Sequence, residues 1–315
     1  MSSPATSPQT GRGLAAGVTA FTLWGLLPGY WKLLSWLDSG QVIALRALLT
    51  LPVLLVVLLG RRELRRVLAR VREPRILGLH ALTAALLAGN WLTFVWATHH
   101  NFIVEASLGY FLTPLANVAM GALFLGERLG RQQRIAIGCA ALGVAGQLIA
   151  AGRTPWVALA LCGTFAFYGL LRKKSPLESL PGLTVESIAA VPAAVAWLCL
   201  SPPVRIAAGA GEWTMVLIMG AITAVPLLGF ATAARLLPLS VLGLLQFIAP
   251  SLQFLVGAVY YREPVNLLSL ASFAVIWTGL GIFTVDAWRR SRLPNHPGHT
   301  PPAGDTIPGY EHDDK

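Results

Sequence analysis

The chain has 315 residues, of which 55% are apolar and only 12% charged, with 31 glycines and 21 prolines. That profile excludes an ordinary soluble domain and fits a polytopic membrane protein. The net charge of +10 does not make nucleic acid a partner, because the arginines and lysines gather in a few segments between apolar runs and form no binding face.

A helix needs about 20 apolar residues to cross ~30 Å of hydrocarbon. Ten such spans are predicted, at approximately 14–34, 40–59, 76–98, 103–125, 132–150, 154–171, 183–200, 213–234, 239–261 and 266–287. The first is too long, and too well followed by others, to be a cleaved signal peptide. It carries Trp24, Gly25, Leu26 and Leu27, a helix-kinking Pro28, then Trp31 and Lys32. Trp24 lies deep enough to stack on a substrate while Gly25 permits bending. Lys32 reads as a side chain reaching the interface from the helix end. Arg46 lies one to two turns inside the second span and is either an anion anchor or half of an ion pair.

The segment 61–75 is rich in arginine. Two readings stand, an interfacial basic helix and a short connection that fixes orientation; the second is favoured because the other connections on that side are basic too. The third span offers His80, Asn90, Trp91 and Phe94, and the connection after it His99, His100, Asn101 and Glu105, a polar loop without metal-ligand spacing. In the fourth span Tyr110, a kinking Pro114, Asn117 and Gly121 share one helical face, and in the ninth Gln246, a kinking Pro250, Gln253 and Gly257 repeat those steps. Such stripes line a cavity or join helices through hydrogen-bonded amides; their recurrence favours the cavity. Tyr168-Gly169-Leu170-Leu171 in the sixth span parallels the Trp24 run, and Glu186 opens the seventh, in a first turn where the helix dipole favours a carboxylate. Glu105 and Glu186 are the candidates for ion coupling. Glu127 and Glu263 end apolar helices and read as partners of Arg128, Arg134 or Arg262. Cys139, Cys162 and Cys199 read as small buried hydrophobes. The stretch from Ser291 onward is polar, without apolar periodicity, and reads as disordered.

Residues 84–127 and 220–263 repeat each other 136 positions apart, with Pro114/Pro250, Gly121/Gly257, Ala122/Ala258 and Glu127/Glu263 in register. Lys and Arg in alternate connections divide nineteen to three, which places both termini in the cytoplasm. Five spans per half then set the halves upside down relative to each other. The expected fold is an all-α polytopic membrane protein of ten transmembrane helices in two inverted five-helix repeats. The expected divisions are a tail 1–12, repeats 13–150 and 151–290, and a tail 291–315.

No motif for metalloprotease, serine hydrolase or phosphate-binding chemistry is present, so the chain is not expected to be an enzyme or to hold a metal or cofactor. Several runs resemble a known family: Phe21 to Pro28 with Tyr30 and Lys32, Gly89 to Ala97, Glu105-Ala-Ser-Leu-Gly-Tyr-Phe-Leu-Thr-Pro114-Leu-Ala-Asn117, Phe124 to Arg128, Phe165 to Lys174 and Phe247 to Pro250. They resemble the RarD-type branch of the EamA family, in the drug/metabolite transporter superfamily, over about residues 13 to 290. The resemblance implies a central cavity lined by spans 1, 3, 4, 6, 8 and 9, and some members are associated by name with chloramphenicol sensitivity.

The expected function is a secondary-active permease in the cell membrane, an exporter of a small organic metabolite or drug, working by alternating access. Trp24, Arg46, Asn90, Trp91, Tyr110, Asn117, Tyr168, Gln246 and Gln253 are its candidate substrate contacts. Its partners would be that substrate and the lipid bilayer, with monomer and homodimer both open. A lipid scramblase and a non-transporting membrane enzyme or receptor are the alternatives.

Overall fold

The computed structural model describes residues 8–125, 129–173, 175–204, 210–237, 241–242 and 245–292. Their helices are α1 Pro8–Leu33, α2 Ser39–Gly60, α3 Leu64–Val71, α4 Pro74–His99, α5 Ile103–Leu125, α6 Arg131–Ala151, α7 Trp156–Lys173, α8 Ser179–Leu200, α9 Ala210–Leu236, α10 Ile248–Leu255 and α11 Leu267–Arg292. A π-helical turn, Val256–Tyr260, continues α10. No strand occurs among the described residues. On length and composition, seven of these helices can cross a membrane, namely α2, α4, α5, α6, α8, α9 and α11; α7, and α10 with its π turn, are apolar but shorter.

Capping and proline chemistry fix several boundaries. Asp38 caps α2, its carboxylate accepting from Gly40 and Gln41 N–H while the Gln41 side chain accepts from Asp38 N–H. Pro74 occupies the first turn of α4, where a missing N–H costs nothing. Pro28 and Pro114 lie inside α1 and α5 as expected of kinks. Pro250 differs: it sits in the first turn of α10, directly after a turn at Gln246 and Phe247, so the helix is interrupted there and not bent.

Water-driven burial does not hold helices together in lipid; close packing and buried hydrogen bonds do. The α6–α11 contact shows how close. A Cβ on Gly143 would come within 3.0 Å of the Ser272 carbonyl, and one on Gly279 within 3.0 Å of the Ala136 carbonyl. Beside them Gln147 and Ser269 exchange hydrogen bonds.

The pattern of neighbours repeats. α1 packs on α9 and α10, as α7 packs on α4 and α5; α2 packs on α9, as α8 packs on α4; α2 meets α8 and α6 meets α11. The first residues of α6 and α11, Arg131 and Leu267, are 136 positions apart. Turns near residues 34–38, 100–102, 152–155 and 261–266 gather at one end of the bundle, here called the arginine-poor end, and α3 lies at the other.

Two expectations change here. The segment 61–75 is more than a connection: Val67 of α3 is buried with Leu58 and Val185, and Leu64 and Val71 pack beside it. Leu64, Val67 and Val71 stand at helical spacing, so α3 is an amphipathic helix docked on the bundle, with Arg70 exposed. Cys199 is exposed on α8, while Cys139 and Cys162 are half-buried. Glu127, Arg128 and the stretch from 293 onward fall outside the described residues.

Candidate substrate site

The centre of the site is built from α2, α4, α5 and α7. Arg46 is the eighth residue of α2, which sets it about 10 Å along the axis from the helix start. Only 9% of it is exposed, and its guanidinium carbon stands 4.3 Å from the centroid of Trp91. That is a cation–π contact in a desolvated setting. From Trp91 the rings run on through Phe94, at 5.9 Å between centroids, to Tyr110, a further 5.5 Å away. Behind them, buried Asn90 donates to the Leu161 carbonyl and to Thr164 Oγ1, both at 2.9 Å, and accepts from Tyr110 O–H at 3.2 Å. Four of the expected contact residues therefore meet. Thr164, which completes the set, carried no signal in the sequence: a threonine in an apolar helix ordinarily returns its hydroxyl to its own backbone, as Thr164 also does.

Trp24 forms a second group with Phe21 and Phe230, at 5.5 and 5.9 Å between centroids. Pro28 has no N–H to offer the Trp24 carbonyl four residues earlier, and Gln253 Nε2 donates to that carbonyl at 3.3 Å. Gln253 thus takes up the α1 carbonyl that Pro28 leaves free, with its own Oε1 left without a partner. Gly25 is a contact and not a hinge, since a Cβ there would collide with Leu252 and approach the Ala249 carbonyl. Asn117 and Gln246 do not join either group. Both are exposed, with Asn117 beside Gly169.

Tyr168 belongs to a third group, around Glu186. α8 begins at Ser179, so Glu186 lies two turns inside the helix and not in its first turn. It is 2% exposed. Its carboxylate accepts from Thr83 Oγ1 at 2.8 Å and Tyr168 O–H at 3.3 Å, with His80 Nδ1 at 3.4 Å and Arg172 Nε at 3.7 Å. His80 Nε2 in turn meets Ser175 Oγ at 3.0 Å. Glu105, the other coupling candidate, instead holds Arg153 at 2.6 Å and the Val157 N–H at 2.9 Å, a cap on α7.

The arginine-poor end is tied shut. Lys32 does not reach outward to an interface; it donates to the Thr98 carbonyl at 2.9 Å and to Asn101 Oδ1 at 2.5 Å. Glu263 does not pair with Arg262. Its two carboxylate oxygens accept from Ile103 and Val104 N–H, both at 2.8 Å, where the positive end of α5 favours an anion. Burial pushes this carboxyl above its usual range, against the pull of those two N–H groups and of Lys32. An open groove of ≈ 790 Å³ at the same end is lined by Trp36, Trp96, Trp156, Asp38, His99 and Leu92 among others, and does not include Arg46.

The pattern of the EamA-like transporter family matches residues 11–149. An uncharacterized transporter of Pseudomonas aeruginosa is 40% identical over 297 residues, covering 91% of this chain and 98% of that one. The protein RarD of Salmonella typhimurium is 38% identical over 283 residues, covering 89% and 96%. This chain belongs to the RarD-type branch of the EamA-like transporter family. A further relative, the chloramphenicol-sensitive protein RarD of Pseudomonas aeruginosa, is 33% identical over 291 residues, covering 90% and 96%. A solved crystal structure aligns with a TM-score of 0.58 at 22% identity, covering 88% of this chain and 98% of that one, and shares the fold alone. The RarD-type chain is therefore a multi-pass membrane transporter, and the three aromatic and polar groups above are its interior.

Proposed function

We propose that this transporter exports a small organic metabolite or drug across the cytoplasmic membrane by alternating access between two inverted repeats, 13–150 and 151–290. The observation that carries the reading is the repeating pattern of helix neighbours. Exchanging α1, α2, α4, α5 and α6 with α7, α8, α9, α10 and α11 turns each major packing into another or onto itself, the expected property of two related bundles that rock about a site between them. Ten crossings, with α3 lying at the cytoplasmic face and both termini inside, complete this arrangement, and the nineteen-to-three division of positive residues supports it. In this reading the arginine-poor end faces outward, and Lys32 and Glu263 fasten α1 and the end of α10 to the α4–α5 turn there.

Between the two carboxylates, Glu186 fits proton coupling and Glu105 does not. Glu105 is committed to Arg153 and a backbone cap, whereas Glu186 stands 3.4 Å from His80 Nδ1, and His80 Nε2 meets Ser175 at the arginine-rich end. A gradient is the energy source left to a chain without a nucleotide-binding motif.

The test has two arms. Cells with and without the transporter are compared for the metabolites they retain; no difference in any compound sinks the permease reading. Single cysteines at Asn117 and Gln253 are then labelled with small thiol reagents. Asn117→Cys is expected to react in the arrangement described, and Gln253→Cys, now buried at 3% exposure, only as the protein cycles. A Gln253→Cys protein that transports normally and never reacts would show that this side chain stays locked to α1.

A further inference from the structure

We propose that Arg46 anchors an anionic group, a carboxylate or phosphate, of the transported molecule. The inference rests on the permease reading and names the class of its substrate. Arg46 has no ion pair and no side-chain hydrogen bond among the described residues, and its Nε is buried without any partner. A buried guanidinium in this condition lacks the acceptors that its five donors require. Trp91 covers one face of it, and the guanidinium edge is the part that makes a planar, two-point contact with carboxylate or phosphate.

The internal repeat supplies the second argument. Arg46 is the eighth residue of α2 as Glu186 is the eighth of α8, and both helices have 22 residues. Glu186 takes its partners from His80 and Thr83 of α4 and from Tyr168 and Arg172 of α7. The register of 136 places Val216 and Met219 of α9 opposite His80 and Thr83, and the matched runs Trp24-Gly25-Leu26-Leu27 and Tyr168-Gly169-Leu170-Leu171 place Trp24 and Pro28 of α1 opposite Tyr168 and Arg172. None of these four side chains carries an oxygen acceptor or a negative charge for a guanidinium. Where one half surrounds its buried charge with hydrogen-bonding partners, the other gives Arg46 no ion pair and no side-chain hydrogen bond among the described residues, and the positions that the repeat would bring to it carry no carboxylate. Among the described residues the chain brings no carboxylate to Arg46, and a counter-charge on the substrate would answer it.

Three proteins decide this: wild type, Arg46→Lys and Arg46→Gln, each normalised to its abundance in the membrane. Compounds whose cellular levels change with the wild-type transporter are sorted by charge at neutral pH. They are expected to be anions, and Arg46→Gln is expected to lower their transport roughly tenfold to hundredfold, with Arg46→Lys between. Neutral or cationic compounds moved by the wild type, or wild-type rates in Arg46→Gln, overturn the proposal while leaving the permease reading intact. If no compound changes, the permease reading fails instead, and melting of the purified full chain in neutral detergent still decides Arg46. Removing an uncompensated charge should raise the melting temperature of Arg46→Gln above wild type; a lower one makes Arg46 structural and overturns the proposal. Stabilisation of the wild type by phosphatidylglycerol, absent with benzoate or inorganic phosphate and abolished by Arg46→Gln, would make the anion a lipid headgroup and likewise overturn the substrate assignment.

Discussion

The surroundings of Glu186 and Arg46 differ far more than their equivalent places in α8 and α2 would lead one to expect. Glu186 is met by Thr83, Tyr168, His80 and Arg172, so two neighbouring helices are bound to α8 through one carboxylate. Arg46 lies against an aromatic face and makes no ion pair or side-chain hydrogen bond among the described residues. Burial alone therefore does not separate a group that holds the fold from one that waits for a ligand. The difference lies in whether the chain itself answers the charge.

The comparison breaks most visibly in stability. Glu186→Ala leaves Arg172 and His80 facing an empty carboxylate position, and the loss of a buried partner of this kind costs about 3–5 kcal/mol. Unfolding of the purified chain in mixed micelles measures it, and an equal loss in Arg46→Gln would erase the distinction. Asn90→Leu comes next. It strips the Leu161 carbonyl, Thr164 and Tyr110 of a shared partner, for about 1–3 kcal/mol by the same measurement, and tests whether the Arg46 side of the molecule is held together behind the rings. Tyr168→Phe removes one hydroxyl from Glu186 while three other partners remain, and about 0.6 kcal/mol is the expected effect.

The smallest effect is one of pH, at Glu263. Its carboxyl is raised by burial, so the folded chain keeps a proton that the unfolded chain has released. The stability this group contributes is full below the ordinary carboxylate value and is lost as pH rises through the raised one. Melting followed across mild acid should show that decline in the wild type and not in Glu263→Gln.

Much of the architecture was legible in the sequence. The second to sixth apolar spans match helices to within a few residues, whereas the ninth is interrupted at Gln246 and Phe247 and continues as α10 and a π turn; α6 and α11 begin 136 positions apart, as the repeat does. Arg46, Trp91, Asn90 and Tyr110 were each picked out by the cost of placing them among apolar residues, and they meet. What escaped was set by partners distant in sequence. Ser175-Pro-Leu-Glu-Ser-Leu-Pro-Gly reads as a loop, yet Pro181 sits in the first turn of α8, where proline is tolerated, and this carries Glu186 two turns inward. Nothing local to Glu263 announces that it caps a helix 160 residues earlier. In 61–75 the arginine count drew attention from Leu64, Val67 and Val71, whose spacing already described a docked helix.

The glycine-faced contact between α6 and α11 carries a consequence for biogenesis. Its two strands of the seam are separated by more than a hundred residues, and Gly143 finds Ser272 only after the last helix has been made. Until then the ribosome-bound chain displays α6 to lipid with its glycines bare, so the seam closes late and in one step. A chain stopped before Leu267 would present quality-control proteases with that open face, and should be cleared from the membrane far faster than a full-length chain that merely transports poorly.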